Sequence, residues 1–247
     1  MHHRIWMLGA WLALAAGPLG AQQKVGVFRG QVTDSLGLPI PLAEIALLGT
    51  DLRVVADSQG LFRISNVPVG LHPVIVRSIG WKPLFFLIRM GEDEERIGRI
   101  GLEPAPHRLP EIIVEGGRFA KPPEYAFTSR YDDFFRRRTM RAGTFRTRGD
   151  PLFANAIHTG DLLRTIPGVR VNFGPGGTSV EFTRCRGAGS KVAVWIDGAR
   201  VMTDNHSEAL EYLRPSDIEM IEVYRGVGQI PGEFLVDSCA AIVIWTR

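Results

Sequence analysis

Between residues 25 and 102 apolar and polar positions alternate in short runs broken by turn-forming residues. Val25, Val27, Arg29 and Gln31 lie on one side of the first run and Phe28, Gly30 and Val32 on the other, the period-two pattern of a strand. Further runs follow at 44–48, 53–56, 61–65, 74–78, 83–90 and 97–102. Asp34-Ser35-Leu36-Gly37, Gly49-Thr50-Asp51, Asp57-Ser58-Gln59-Gly60 and Ile79-Gly80 mark breaks between them, and such residues supply turn geometry. Pro39 and Pro41 forbid a central strand through their own stretch. Seven short strands spaced about ten residues apart predict an antiparallel β-sandwich.

The pattern changes further along. Tyr131, Phe134, Phe135 and Arg138 fall at helical spacing, predicting a helix with an aromatic seat and a solvated basic face. Residues 145–148 with Gly149-Asp150-Pro151 read as a strand and turn. Thr159-Gly160-Asp161 opens a helix over 162–166 that stops at Pro167-Gly168. Residues 169–173 and 180–183 form a hairpin around Gly174-Pro175-Gly176-Gly177. Residues 192–196 and 241–245 are almost continuously apolar, as strands buried on both faces should be. Between them lie a helix over 207–213, capped by Ser207, and a strand within 217–226 that carries Glu219 and Glu222. The second half is therefore an α/β module.

Composition narrows the class. The 247 residues are 45% hydrophobic and 22% charged, as in a globular protein, and the net charge is only +3. So mild a charge argues against a nucleic-acid partner, and Asp132 and Asp133 dilute the arginines of 136–148. His2, His3 and Arg4, an apolar run over 5–16 and Gly17-Pro18-Leu19-Gly20-Ala21 have the layout of a secretory signal peptide, with cleavage expected after Ala21. That run is too short to span a bilayer. An exported chain whose two cysteines are Cys185 and Cys239 predicts one disulfide, stabilising by roughly 4 kcal/mol in the chain-entropy model.

Candidate chemistry is sparse. The six histidines are scattered without ligand spacing, so no metal or other cofactor is expected. The Asp57-Ser58-Gln59-Gly60 turn has too few oxygens for calcium. The 174–177 glycine cluster lacks a phosphate-loop ending, and Pro231 stands where a dinucleotide fingerprint needs its third glycine. Ser190, Ser207, Ser216, His158 and His206 lie in no nucleophile motif, and no carboxylate pair stands out. A non-enzymatic protein is expected.

Two family resemblances add to this reading. Gly30, Val32, Asp34, Gly37, Pro39-Ile40, Ala43, Ile45, Leu47, Gly49-Thr50, Asp57, Gly60, Phe62, Ile64, Pro68, Gly70 and Gly80 resemble the carboxypeptidase regulatory-like domain, a transthyretin-like sandwich without peptidase chemistry of its own. Leu162-Leu163, Ile166-Pro167-Gly168-Val169, Val194-Trp195-Ile196-Asp197-Gly198, the 217–226 run and Ile242-Val243-Ile244 resemble the plug domain of TonB-dependent outer-membrane receptors. Ala240 departs from the plug pattern, which usually has glycine there. The resemblances imply a signal peptide over 1–21, a seven-stranded transthyretin-like sandwich over 25–103, a Pro-rich linker over 104–110 and an α/β plug domain over 111–247.

Glu111, Ile112, Ile113 and Val114 are similar to the segment that in such receptors pairs with TonB by strand addition; the same residues also read as the plug's first strand. A receptor barrel of about 22 strands needs several hundred residues more, so the expectation is a receptor-like periplasmic part without its barrel. The function expected is that of an exported adaptor, in the periplasm or at the periplasmic face of the outer membrane. Its partner would be an outer-membrane β-barrel or a TonB-type energy transducer, and it would associate with the membrane through that partner without spanning it. The alternatives are a glycan- or peptide-binding protein using residues 174–177 and 202–206, and the plug half of a split transporter.

Overall fold

The computed structural model describes residues 24–105, 131–140, 142–174, 177–185, 191–202 and 210–247. The signal stretch, most of the Pro-rich linker and Glu111, Ile112, Ile113 and Val114 lie outside them.

Seven strands build the first half: β1 (Val25–Thr33), β2 (Glu44–Leu47), β3 (Arg53–Val55), β4 (Leu61–Pro68), β5 (Gly70–Arg77), β6 (Leu84–Met90) and β7 (Glu95–Gly101). They form two sheets, ordered β4-β1-β7 and β3-β2-β5-β6. Phe28, Val32, Ile45, Leu47, Phe62, Ile64, Val74, Val76, Ile88 and Ile100 fill the space between them. The Phe28 and Phe62 rings meet edge to face at 5.1 Å, a favoured aromatic geometry. One expectation needs correction: β7 lies parallel to β1, pairing Val27 with Glu95 through to Thr33 with Gly101. The chain leaves β1, builds the opposite sheet and returns beside β1 in the same direction. Such a parallel pair requires a long crossover, not a hairpin.

The second half comprises α1 (Asp132–Met140), β8 (Thr144–Thr147), α2 (Pro151–Asn155), β9 (Val169–Gly174), β10 (Gly177–Phe182), β11 (Val192–Ile196), β12 (Ala199–Arg200), β13 (Ile218–Tyr224) and β14 (Ala240–Thr246). A five-stranded sheet runs β12-β11-β14-β13-β8, and β9 and β10 form a separate hairpin. In the large sheet β11 and β14 are parallel while β13 is antiparallel to β14. The helix expected over 162–166 is a 3-10 turn over Thr159–Leu162, followed by turns. The Asp150-Pro151 pair starts α2: the Asp150 side chain accepts from the Leu152 N–H at 3.1 Å. Of the helix expected over 207–213, only residues 210–212 lie among the described residues, and they are helical.

Strand alternation gives the large sheet two buried faces. On one side Val192, Val194, Ile196, Ile221, Val223, Ile242 and Ile244 pack with Leu162, Leu163 and Ile166. On the other, Ala193, Met220, Tyr224, Ala241, Val243 and Trp245 pack with Phe134 of α1 and with Ile230 and Phe234.

The first of these clusters does not end at the second half. Ala46, Leu48, Ile75 and Phe85 belong to it, with Leu87 packed against it. These side chains alternate along β2, β5 and β6 with Ile45, Leu47, Val74, Val76 and Ile88, which point into the sandwich. The β3-β2-β5-β6 sheet is thus apolar on both faces, and its outer face shares one core with the large sheet of the second half.

Candidate functional site

Polar side chains ring this shared core. The turn after β11 has Asp197 at φ 51° and Gly198 at φ 86°, the left-handed pair that a two-residue hairpin requires. The turn buries the Asp197 side chain, which is 2% exposed, against Arg77 of β5 at 11%. The Arg77 guanidinium donates to Asp197 Oδ2 at 2.9 Å, to Thr246 Oγ1 at 3.0 Å and to Glu44 Oε1 at 2.9 Å. Asp197 Oδ1 also accepts the Thr246 backbone N–H at 2.7 Å. A sandwich arginine therefore completes a carboxylate cradle built by the second half, a charge-assisted arrangement stronger than neutral hydrogen bonds.

A second contact sits at the β2–β3 turn. The Gly49 N–H donates to Asp217 Oδ2 at 2.9 Å, and Arg214 spans Asp51 at 3.1 Å and Asp217 at 2.9 Å. The Asp217 hydrogen bond is the main cause that raises the Arg214 pKa above its ordinary value. A Cβ at position 49 would lie 2.6 Å from the Tyr212 carbonyl oxygen, so glycine is what allows the approach.

The opposite face of the large sheet holds Glu222, fully buried on β13. Arg137 of α1 grips it with both prongs, Nε to Oε2 at 2.9 Å and NH2 to Oε1 at 2.6 Å. Trp245 Nε1 donates to Oε1 at 2.6 Å and the Tyr224 hydroxyl to Oε2 at 2.5 Å. Arg137 reaches Glu233 as well and lies 5.0 Å from the Phe234 ring centre. Burial pulls the Arg137 pKa down, and the Glu222 and Glu233 carboxylates more than offset this, so it stands above the ordinary value. Burial first, then the Glu222 hydrogen bond, pushes the Tyr224 phenol up. These groups lock α1 to the sheet. Both oxygens of Glu222 are occupied by donors.

The residues singled out from the sequence fall as follows. Cys185 and Cys239 are joined by a disulfide, with Cα atoms 5.5 Å apart. Phe134 takes the expected buried seat, whereas Phe135 is 49% exposed. The expected solvated basic face is broken by Arg137, which is buried against Glu222. The plug-like motifs converge: Leu162, Leu163, Ile166, Val194, Ile196 and Ile242 share one core, and Arg225 NH1 donates to the Pro167 carbonyl at 2.8 Å. In the Asp57-Ser58-Gln59-Gly60 turn, Asp57 Oδ1 accepts from the Gln59 and Leu61 N–H groups, so it serves the turn itself. Among the described residues no three His, Cys, Asp or Glu side chains converge as metal ligands. None of their helices is long and apolar enough to cross a membrane.

Of the loops proposed for a ligand, residues 175–176 and 203–206 lie outside the described residues. A cleft of about 180 Å³ lies beside β10 and Cys185. A larger groove, of about 980 Å³, lies on the outer face of the β4-β1-β7 sheet, among Arg29, Leu61, Arg63, Ile97 and Arg99. Sequence reasoning missed Arg77, Asp197 and Glu222 as organising groups. For Arg77 and Glu222 the available signal was a charge on an otherwise apolar strand; Asp197 sits in the Asp-Gly turn, where an aspartate is common.

Comparison with known proteins fits this architecture. Residues 28–114 match the family model of the CarboxypepD_reg-like domain, and residues 153–231 match that of the TonB-dependent Receptor Plug Domain. Neither is a catalytic family. No curated protein is similar in sequence. Solved structures resemble parts of the chain. A type II Cohesin-X-Dockerin complex from Acetivibrio cellulolyticus shares 20% identity over 31% of this chain and 56% of that one, with a TM-score of 0.28. Catechol 1,2-dioxygenase from Pseudomonas arvilla C-1 shares 14% over 42% and 59%, with a TM-score of 0.31. The major pilin subunit BcpA of Bacillus cereus shares 17% over 33% and 31%, with a TM-score of 0.29. The chain thus spans less than two thirds of the length of each. By its two family matches, the chain carries a carboxypeptidase regulatory-like domain over residues 28–114 followed by a TonB-dependent receptor plug domain over residues 153–231.

Proposed function

We propose that this chain is a non-enzymatic, exported adaptor of the cell envelope that carries its plug domain as a self-closed body. The observation behind this reading is the cover on both faces of the plug sheet. The sandwich lies over one face through Ala46, Leu48, Ile75 and Phe85, and α1 lies over the other through Phe134 and Arg137. An apolar sheet needs a second layer, and here the chain supplies both. The plug family belongs to outer-membrane receptors, which supports an envelope location and a protein partner there, either a β-barrel or a TonB-type energy transducer. Glu111, Ile112, Ile113 and Val114 are proposed as the stretch offered to a partner strand.

Crosslinking in cells followed by identification of the linked protein tests the reading. A barrel protein or energy transducer is the expected product. A chain linked to neither, with thermal shifts on a glycan or peptide panel, contradicts it in favour of a ligand-binding role. Replacing Ile113 with proline should abolish capture by the transducer; unchanged capture assigns the segment to an internal strand.

A further inference from the structure

We propose that the open edge of β7 is a docking surface for a second copy of this chain, joined as an antiparallel strand pair about a two-fold axis at Ile97. β7 closes one side of the β4-β1-β7 sheet and pairs with β1 alone among the described residues. Its polar groups alternate. The Glu94 carbonyl accepts from Val27 and the Leu102 N–H donates to Thr33, both on β1. Even-numbered residues therefore face β1, and Glu95, Ile97, Arg99 and Gly101 present N–H and C=O to the open side. Beyond Gly101 that side is taken: the Glu103 carbonyl accepts from Lys82, and the Ala105 N–H donates to Gly80. Among the described residues the plug packs against the other sheet and forms no strand pair with this edge.

An unprotected edge invites pairing with another strand. What selects a second copy is the order of side chains. Pairing two β7 strands antiparallel with Ile97 opposite Ile97 sets Glu95 of each copy opposite Arg99 of the other. Moving the two-fold axis by two residues along the strand sets Glu95 on Glu95 or Arg99 on Arg99; moving it by one, a slide of two residues, sets Ile97 opposite Glu95 or Arg99. Cross-strand opposite charges stabilise and like charges repel, so the edge specifies one register. Arg99 has no ion-pair partner among the described residues, while Glu95 already holds Arg29 and Arg63 at 2.8 and 3.0 Å. Ile97 is 68% exposed and gains cover from its mate. Arg96 comes opposite Gly98, which has no side chain to meet it. The contact is isologous, the commonest form for a dimer, and joins two three-stranded sheets into one. A single strand edge buries little area, so the dimer is a weak one.

Sedimentation equilibrium of the full chain across a wide concentration range, with I97C, R99C and R99E variants, tests this. A reversible dimer is expected. R99E weakens it about tenfold or more by opposing two carboxylates at each end, while its exposed position leaves folding intact by circular dichroism. Under mild oxidation I97C links to itself, because the two-fold axis passes through that position and paired Cα atoms there fall within disulfide reach. R99C, opposite Glu95, does not. A chain that stays monomeric, an R99E dimer as tight as the parent, or R99C linking as readily as I97C overturns the proposal.

Discussion

The two sheets of the sandwich have similar inner faces and contrasting outer ones. On β2, β5 and β6 the outward residues are Ala46, Ile75 and Phe85, and each is buried under the plug. On β1, β4 and β7 they are Arg29, Gln31, Leu61, Arg63, Ile97 and Arg99, around an open groove. The same fold thus uses one face as a permanent interior and leaves the other to solvent. A strand's outward pattern shows which face is which: apolar where another layer of the chain lies on it, charged where none does.

The largest expected effect lies at the seam. Arg77→Ala removes the guanidinium that pairs with the buried Asp197 carboxylate and should cost about 3–5 kcal/mol, read as a lower denaturation midpoint. Exposed Arg63 offers the matching change on the open face. Next comes cavity formation: Ile75→Ala should cost about 2–5 kcal/mol, whereas Ile97→Ala should stay within about 0.5 kcal/mol. Equal losses at the two isoleucines would erase the distinction between the faces. Replacing Cys185 and Cys239 together with serine should cost roughly 2–4 kcal/mol, read as a lower denaturation midpoint for the sandwich and plug together.

Acid should loosen the covered side through Asp161. The His158 N–H, followed by that of Ile157 and by Arg164, holds the Asp161 carboxyl below the ordinary range against the opposing effect of burial. A depressed folded value contributes stability that is present above the unfolded value, about 3.9, and is lost as pH falls through the folded one. Melting temperature should therefore fall with acid below about pH 4 in the parent, and less steeply in Asp161→Asn. Arg63→Ala, like Ile97→Ala, belongs at the small end: it removes one of two arginines on exposed Glu95 and should change stability by under about 1 kcal/mol.

Much of this was legible in the sequence. Period-two runs and turn residues located the seven sandwich strands, because alternation and glycine or aspartate turns have local causes. Continuous apolar runs at 192–196 and 241–245 foretold burial on both faces. The same sign was present at Ile45-Ala46-Leu47-Leu48, Val74-Ile75-Val76 and Leu84-Phe85-Phe86-Leu87-Ile88, yet those stretches read as ordinary sandwich strands. Their second cover comes from residues more than a hundred positions away, and a local pattern does not say what will lie on a strand. The parallel direction of β7 is likewise a property of topology. Arg137 fell on the expected solvated basic face because helical spacing places Arg138, not Arg137, with the aromatic seat, and Glu222 showed only as a charge on an apolar-rich strand. Only the fold brings α1 against β13, where the pairing of Arg137 with Glu222 offsets the burial of both.

Native-state hydrogen exchange resolved along the chain tests the central claim, that sandwich and plug share one core, most directly. Amides of β5 in the sandwich and of β14 in the plug should open with the same free energy and the same denaturant dependence, as one cooperative unit. If β14 instead exchanges through a separate, lower-energy opening while β5 stays protected, the two halves do not share a core and the account is contradicted.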